Sequence, residues 1–80
     1  MNRYEIIIKY NWQDPTNGFY IPYKVSAIEY FDSDYEAITS AIITAKDYVD
    51  NKGGVDIKLK VSQKHPRFDD QEITILDINL

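Results

Sequence analysis

The single histidine of the chain, His65, is the residue best suited to metal binding or proton transfer. Three carboxylates, Asp69, Asp70 and Glu72, follow it closely. A zinc or calcium site would need more ligands at short spacing, and the chain has no second histidine, no cysteine and no oxygen-rich calcium loop. We therefore interpret His65 as an exposed loop residue, and we expect neither a metal ion nor a cofactor.

Pairs of neighbouring carboxylates are the second candidate for chemistry: Asp32 with Asp34, and Asp69 with Asp70. General acid–base catalysis needs burial that separates the two pKa values, whereas both pairs fall in polar turns. No glycine-rich phosphate loop is present, because the glycine pair at 53–54 follows a predicted helix instead of preceding one. The sequence predicts no catalytic residue and a protein that is not an enzyme.

The 80 residues are enough for one domain, 1–80, whose margin of stability should be thin. The absence of cysteine suits a reducing compartment, and no apolar run approaches the ~18 residues that a membrane span needs. We therefore expect a cytoplasmic location and no membrane partner. Seven of the residues are tyrosines, a type that suits half-buried strands and is also common in protein interfaces.

A period of two in the hydrophobic residues predicts a hairpin at the start of the chain. The first strand spans 3–12, a turn follows at Pro15 and the Asn-Gly pair, and the return strand spans 19–27. The best match of the apolar faces places Trp12 opposite Phe19 and Tyr4 opposite Ala27. Pro22 has no N–H to donate, which indicates an edge strand or a bulge.

Helical periodicity follows the hairpin. Ser33 and Glu36 have the spacing of a capping box, in which the Ser33 hydroxyl accepts the Glu36 N–H and the Glu36 carboxylate accepts the Ser33 N–H. The glycine pair at 53–54 ends the helix. One stripe of the helix should face the sheet: Ile38, Ala41, Ile42, Ala45 and Val49, with Tyr35 and Tyr48 at its margins.

Two further alternating segments, 55–63 and 73–80, predict a second hairpin with Leu59 opposite Leu76. The fold class is therefore α+β, with order ββαββ: a four-stranded, mostly antiparallel sheet with one helix packed on one face. The first and fourth strands are the most apolar on both faces, which favours the strand order 2-1-4-3. The order 2-1-3-4 is the alternative.

The net charge of −4 is concentrated around the helix, because residues 29–50 contain six acids and one base, and the rest of the chain sums to +1. Ile43 falls on the solvent side of the helix among Glu36, Asp47 and Asp50. This pattern is typical of a small interface anchor with a charged rim. A solvated helix face with one exposed isoleucine is the alternative interpretation.

The face of the sheet that carries no helix, called the open face below, is the other candidate surface. Its predicted members are Ile7, Lys9, Tyr20, Lys24, Tyr30, Lys58, Lys60, Ile73 and Ile75, together with Arg3, Lys64 and Ile28 and the acids Glu5, Asp56 and Asp77. Basic and aromatic residues on a four-stranded sheet are typical of RNA-binding sheets. The chain lacks their signature motif and has a pI of about 4.7, which favours a protein partner or a homodimer through Ile7, Ile73 and Ile75 over nucleic acid.

In its small size, acidity, lack of cysteine and lack of catalytic residues, the chain resembles the small phage-encoded inhibitors of host defence nucleases, the anti-CRISPR proteins. The resemblance is one of composition and assigns no residue. It implies a non-enzymatic inhibitor that occludes or bridges a partner protein, namely a nucleic-acid-binding or defence protein. The alternatives are a single-stranded nucleic-acid binder that uses the open face and a homodimeric structural or regulatory protein.

Overall fold

The computed structural model describes all 80 residues. Its elements are β1 (Asn2–Gln13), β2 (Tyr20–Phe31), α1 (Asp34–Asp50), β3 (Gly54–Lys64) and β4 (Glu72–Asn79). The four strands form one antiparallel sheet, and α1 packs on one of its faces. The predicted α+β fold with order ββαββ is confirmed. No helix is long and apolar enough to cross a membrane.

The strand order is β2-β1-β3-β4, so the expected order 2-1-4-3 is wrong and the alternative 2-1-3-4 is right. Because β2 and β3 both run antiparallel to β1, they are parallel to each other, and α1 is the crossover that parallel strands require. The crossover delivers β3 to the free side of β1, where its apolar residues lie beneath the helix. β4 is left at the edge.

A β-bulge in β4 explains why this edge strand looked central in the sequence. Val61 pairs with Leu76 but Ser62 pairs with Thr74, so Ile75 is the extra residue. Ile75 packs against the buried core. The apolar residues of β4 therefore belong mostly to the helix side, and they are not evidence of burial on both faces.

Both predicted hairpin registers are displaced by two residues. In the first hairpin Trp12 pairs with Ile21 and Tyr4 with Glu29, instead of with Phe19 and Ala27. In the second hairpin Leu59 pairs with Ile78 and Leu76 pairs with Val61. A shift of two keeps the same residues on the same face, so the pattern of burial in β1 is as predicted while the cross-strand partners are not.

The helix contacts the sheet through small residues. Ala37, Ala41 and Ala45 are fully buried, whereas Ile38 and Ile42 are half-buried and Val49 is exposed. The predicted stripe is thus rotated toward the alanines, because a side chain of one methyl group lets the helix backbone approach the strands. The core beneath the helix consists of Tyr4, Ile6 and Ile8 from β1 with Ile57, Leu59 and Val61 from β3.

Local hydrogen bonds at its start and one residue of left-handed backbone after its end delimit α1. The Ser33 hydroxyl accepts the N–H of Glu36 at 3.2 Å, as predicted. The Glu36 carboxylate accepts the N–H of Asp32 at 3.2 Å, one residue earlier than predicted. After the helix, Gly53 adopts a φ of 68°, a conformation in which a residue with a Cβ is strained.

Candidate functional site

His65 organises the connection between β3 and β4. Its Nδ1 atom accepts the backbone N–H of Arg67 at 3.0 Å and that of Phe68 at 3.3 Å. Its ring also packs on Phe68, with centroids 4.9 Å apart. Both interactions hold the turn, and no group of three or more histidine or acidic side chains is arranged to hold a metal ion.

The carboxylates near His65 compensate the basic residues at one end of the open face. Asp69 accepts a hydrogen bond from Arg3 at 2.6 Å, and Arg3 also donates to the His65 carbonyl oxygen at 2.7 Å. Lys64 lies 3.1 Å from Glu72 and 3.8 Å from Glu5. The hydrogen bond to Glu72 raises the pKa of Lys64. Arg3 and Lys64 therefore stabilise this end of the sheet.

At the other end of the open face, three lysines lie side by side on adjacent strands. Lys24 of β2 is directly opposite Lys9 of β1, and Lys9 is directly opposite Lys58 of β3. We call these three residues the lysine row. The four ion pairs of the structure involve only Arg3, Lys52 and Lys64 as cations, so no carboxylate oxygen lies within 4.0 Å of the row.

The lysine row lies beside a second bulge, in β3. Lys9 pairs with Lys58 but Asn11 pairs with Val55, so Asp56 and Ile57 face a single residue of β1. Asp56 adopts a left-handed φ of 54°. The row lines a concavity of about 630 Å³ together with Asn11 and Asp56, and a second one of about 300 Å³ together with Lys60 and Asp77. Bulges bend a strand, which produces a hollow in an otherwise flat sheet.

The aromatic residues predicted on the open face are exposed. Tyr20 and Tyr30 of β2 are 58% and 57% exposed, and Ile28 between them is also exposed. Lys60 lies opposite Asp77 without an ion pair. The basic and aromatic residues that were predicted on the open face therefore do lie on that face.

The isoleucines predicted to join in a homodimer patch are not brought together. Ile7 is half-buried on the open face, whereas Ile75 packs against the core. Ile73 pairs with Gln63, which also pairs with Tyr4 of the core, and ladder partners share a face. Ile73 is therefore on the helix side, where it is 69% exposed.

The solvent-facing side of α1 carries two exposed hydrophobic residues. Ile43 is 65% exposed, as predicted, and Tyr35 is 78% exposed. Tyr35 was expected at the margin of the buried stripe, and the rotation of the helix onto its alanines turns it outward. The two are eight positions apart, which corresponds to about 12 Å along the helix axis. We call Tyr35, Ile43 and the acidic residues Glu36, Asp47 and Asp50 the outward face of α1.

The predicted acidic residues of the outward face differ in what they contact. Glu36 caps the helix at Asp32, as described above. Asp47 accepts a hydrogen bond from Asn51 and lies 3.8 Å from Lys52. Asp50 makes no ion pair and is exposed. Two of the three carboxylates, Glu36 and Asp47, therefore also form contacts at the ends of the helix.

An aromatic cluster joins the end of α1 to the first hairpin. The Tyr10 ring lies 5.4 Å from that of Tyr23 and 4.8 Å from that of Tyr48. The Lys52 ammonium lies 4.3 Å from the centroid of Tyr48, the distance of a cation–π contact. The sequence does not predict this cluster, because the predicted register places Tyr10 opposite Ile21, whereas the structure pairs Tyr10 with Tyr23.

Comparison with known proteins gives no match: no family model, curated protein or solved structure is significantly similar to this chain.

Proposed function

We propose that this protein is a non-enzymatic protein-binding module whose binding surface is the outward face of α1. The exposure of Ile43 supports the proposal most directly. The helix already packs on the sheet through Ala37, Ala41 and Ala45, so neither Ile43 nor Tyr35 is needed for the core. An aliphatic and an aromatic side chain, exposed about 12 Å apart on a rigid helix, are the kind of anchors that fill pockets in a partner.

The charge around these anchors favours a basic partner. Glu36, Asp47 and Asp50 surround Ile43 within a segment, 29–50, that carries a net charge of −5. Carboxylates on one face of a helix present negative charge that can replace the phosphates of a nucleic acid. The module would thus act in the cytoplasm as an inhibitor that occupies a basic, nucleic-acid-binding surface of another protein, in the manner of anti-CRISPR proteins.

Two isoleucines of similar exposure provide a matched test. Ile43 lies on the outward face of α1 and Ile73 lies in the edge strand β4, and the two are 65% and 69% exposed. Ile43→Asp and Ile73→Asp therefore introduce the same charge at positions of similar hydration. The wild-type protein, tagged at one terminus, is used to capture partners from a lysate of cells that express it, and both variants are compared with it by quantitative mass spectrometry.

The expected result is a partner that is retained by the wild type and by Ile73→Asp and lost by Ile43→Asp. Circular dichroism and thermal melting check that both variants fold. The purified partner is then tested for nucleic-acid binding, which the wild type should inhibit and Ile43→Asp should not. Retention of the partner by a folded Ile43→Asp variant, or its loss in Ile73→Asp alone, would overturn the assignment to α1.

A further inference from the structure

The lysine row brings three positive charges into direct opposition across three adjacent strands. Neighbouring strands are ~4.8 Å apart, so Lys24, Lys9 and Lys58 begin within ~10 Å of one another. Like charges directly opposite in a sheet are destabilising, and sheets commonly place opposite charges there instead. At its other end the sheet also places two basic residues opposite each other, Arg3 and Lys64. There, however, Asp69 pairs with Arg3, and Glu5 and Glu72 pair with Lys64.

Asp56 and Asp77 line the same hollows, but neither forms an ion pair with the lysine row. A row of like charges without ion pairs departs from the usual pairing of charges in a sheet, and such departures often accompany functional sites. Three further features of the same surface bear on what it binds. The row lines open hollows, so its ligand is not enclosed. The cations are lysines, which act as point charges toward phosphate groups. Tyr20 and Tyr30 expose their rings on the same face of β2, and exposed aromatic rings stack on unpaired bases.

We propose that the lysine row binds the phosphodiester backbone of a single-stranded nucleic acid, with Tyr20 as a stacking platform for a base. Tyr20 and Lys24 are four residues apart on one face of β2, or ~13 Å along the strand. This surface is independent of the outward face of α1, because the two lie on opposite sides of the sheet. The net charge of −4 opposes the approach of any polyanion, so binding is expected at low salt and to weaken steeply as salt is added.

The test is the salt dependence of binding, measured by fluorescence anisotropy with a labelled oligothymidylate of about 12 nucleotides. For single strands the slope of log K against log salt is about −0.7 for each phosphate neutralised, so three contacts correspond to about −2. In the variant that combines Lys9→Gln, Lys24→Gln and Lys58→Gln, the slope should be less negative than in the wild type by about 2.

A charge-matched control separates the row from net charge. The combination of Lys46→Gln, Lys52→Gln and Arg67→Gln removes the same three charges from exposed positions outside the sheet. It should retain the wild-type slope. Tyr20→Ala should weaken binding about five-fold or more without changing the slope, because stacking carries no counterion. Ile43→Asp should change neither quantity, so a failure of this proposal is distinguishable from a failure of the proposed function.

Several results would overturn the proposal. They are the absence of binding by the wild type at low salt, an unchanged slope in the row variant, and an equal loss in the control variant. Poly-glutamate is added as a competitor at equal charge concentration. If it displaces the oligonucleotide as well as unlabelled oligothymidylate does, the row is a site for acidic protein and the assignment to phosphodiesters is wrong. Thermal melting verifies folding, and the row variant should melt no lower than the wild type.

Discussion

The hydroxyl of Tyr4 donates a 2.7 Å hydrogen bond to Oδ1 of Asp34 and so joins the middle of the sheet to the first turn of the helix. The Tyr4 ring is fully buried, and Asn2 donates a further hydrogen bond to its oxygen at 3.2 Å. Burial, followed by the hydrogen bond to Asp34, raises the pKa of Tyr4. The side chain therefore contributes both to the core and to the orientation of α1.

Tyr4→Phe should keep the packing of the ring and remove the hydrogen bond. We expect the free energy of unfolding to fall by about 1 kcal/mol, the usual net value of one such bond, because exposed Asp34 can bond to water instead. For a domain of this size the loss corresponds to a decrease of about 4–8 °C in Tm. Thermal melting followed by circular dichroism measures it, and an unchanged Tm would show that the bond does not contribute.

The raised pKa of Tyr4 also predicts a loss of stability at alkaline pH. A tyrosine whose pKa is higher in the folded state contributes stability that is fully present below its unfolded pKa of about 10. That contribution is lost as the pH rises from about 10 through the folded pKa. Urea unfolding at pH 8 to 11 should show this loss in the wild type and in Tyr35→Phe, which alters an exposed ring, but a smaller loss in Tyr4→Phe.

The two adjacent glycines after α1 should respond differently to substitution. A Cβ on Gly54 would lie 3.0 Å from side-chain atoms of Ile57 and Tyr10 and 3.1 Å from the Tyr48 carbonyl oxygen, whereas Gly53 has open space but a left-handed φ. We expect Gly54→Ala to cost ~1–3 kcal/mol through overpacking and Gly53→Ala to cost ~1–2 kcal/mol through backbone strain.

Asparagine distinguishes these two causes, because it tolerates the left-handed conformation but is larger than alanine. Gly53→Asn should be more stable than Gly53→Ala, and Gly54→Asn should be less stable than Gly54→Ala. Urea denaturation of the four variants gives the comparison. The same ranking at both positions would contradict it.

The close approach of the helix to the sheet depends on Ala41, which is fully buried. Ala41→Leu adds three carbon atoms where there is no room, and we expect a loss of ~1–3 kcal/mol in the free energy of unfolding. Thr39→Leu introduces the same side chain at an exposed position of the same helix and should alter stability by less than about 0.5 kcal/mol. Equal effects would mean that the alanine contact is loosely packed.

The lysine row should lower the stability of the free protein. Replacing the middle residue, Lys9→Gln, relieves repulsion with both Lys24 and Lys58 and should raise the free energy of unfolding by about 0.5 kcal/mol at low salt. Added salt screens the repulsion, so the gain should shrink at high ionic strength. Lys46→Gln on the helix is the control and should give no such salt-dependent gain. A destabilised Lys9→Gln variant would show that the row is compensated.

The alternation of the first strand predicts which residues face the core, but it does not determine their partners. Residues at i and i+2 are both apolar, so a displacement by two preserves the hydrophobic match. The turn decides between the registers. Asp14 accepts the N–H of Thr16 at 2.8 Å and Asn17 accepts that of Phe19 at 2.9 Å, which places the loop at Asp14–Phe19 and pairs Gln13 with Tyr20.

The lysine row could not be predicted from the sequence, because it depends on both the register and the strand order. In the predicted register Lys9 faces Pro22, and in the predicted strand order β1 does not touch β3 at all. Lys24 and Lys58 therefore converge on Lys9 only when both features take their observed form. The exposure of Ile43, by contrast, follows from helical periodicity alone, and it was predicted because it requires no knowledge of strand pairing.

The central ladder of the sheet has a consequence for how the chain folds. Its closest partners in sequence, Trp12 and Gly54, are 42 positions apart, and Tyr4 and Gln63 are farther apart still. The entropy of closing so long a loop is lost before the contacts form, so we expect refolding in milliseconds to seconds by stopped-flow fluorescence of Trp12, instead of the microseconds of a helical bundle. During synthesis β1 would therefore lack its second partner strand until β3 leaves the ribosome, which leaves its core residues Tyr4, Ile6 and Ile8 uncovered on that side.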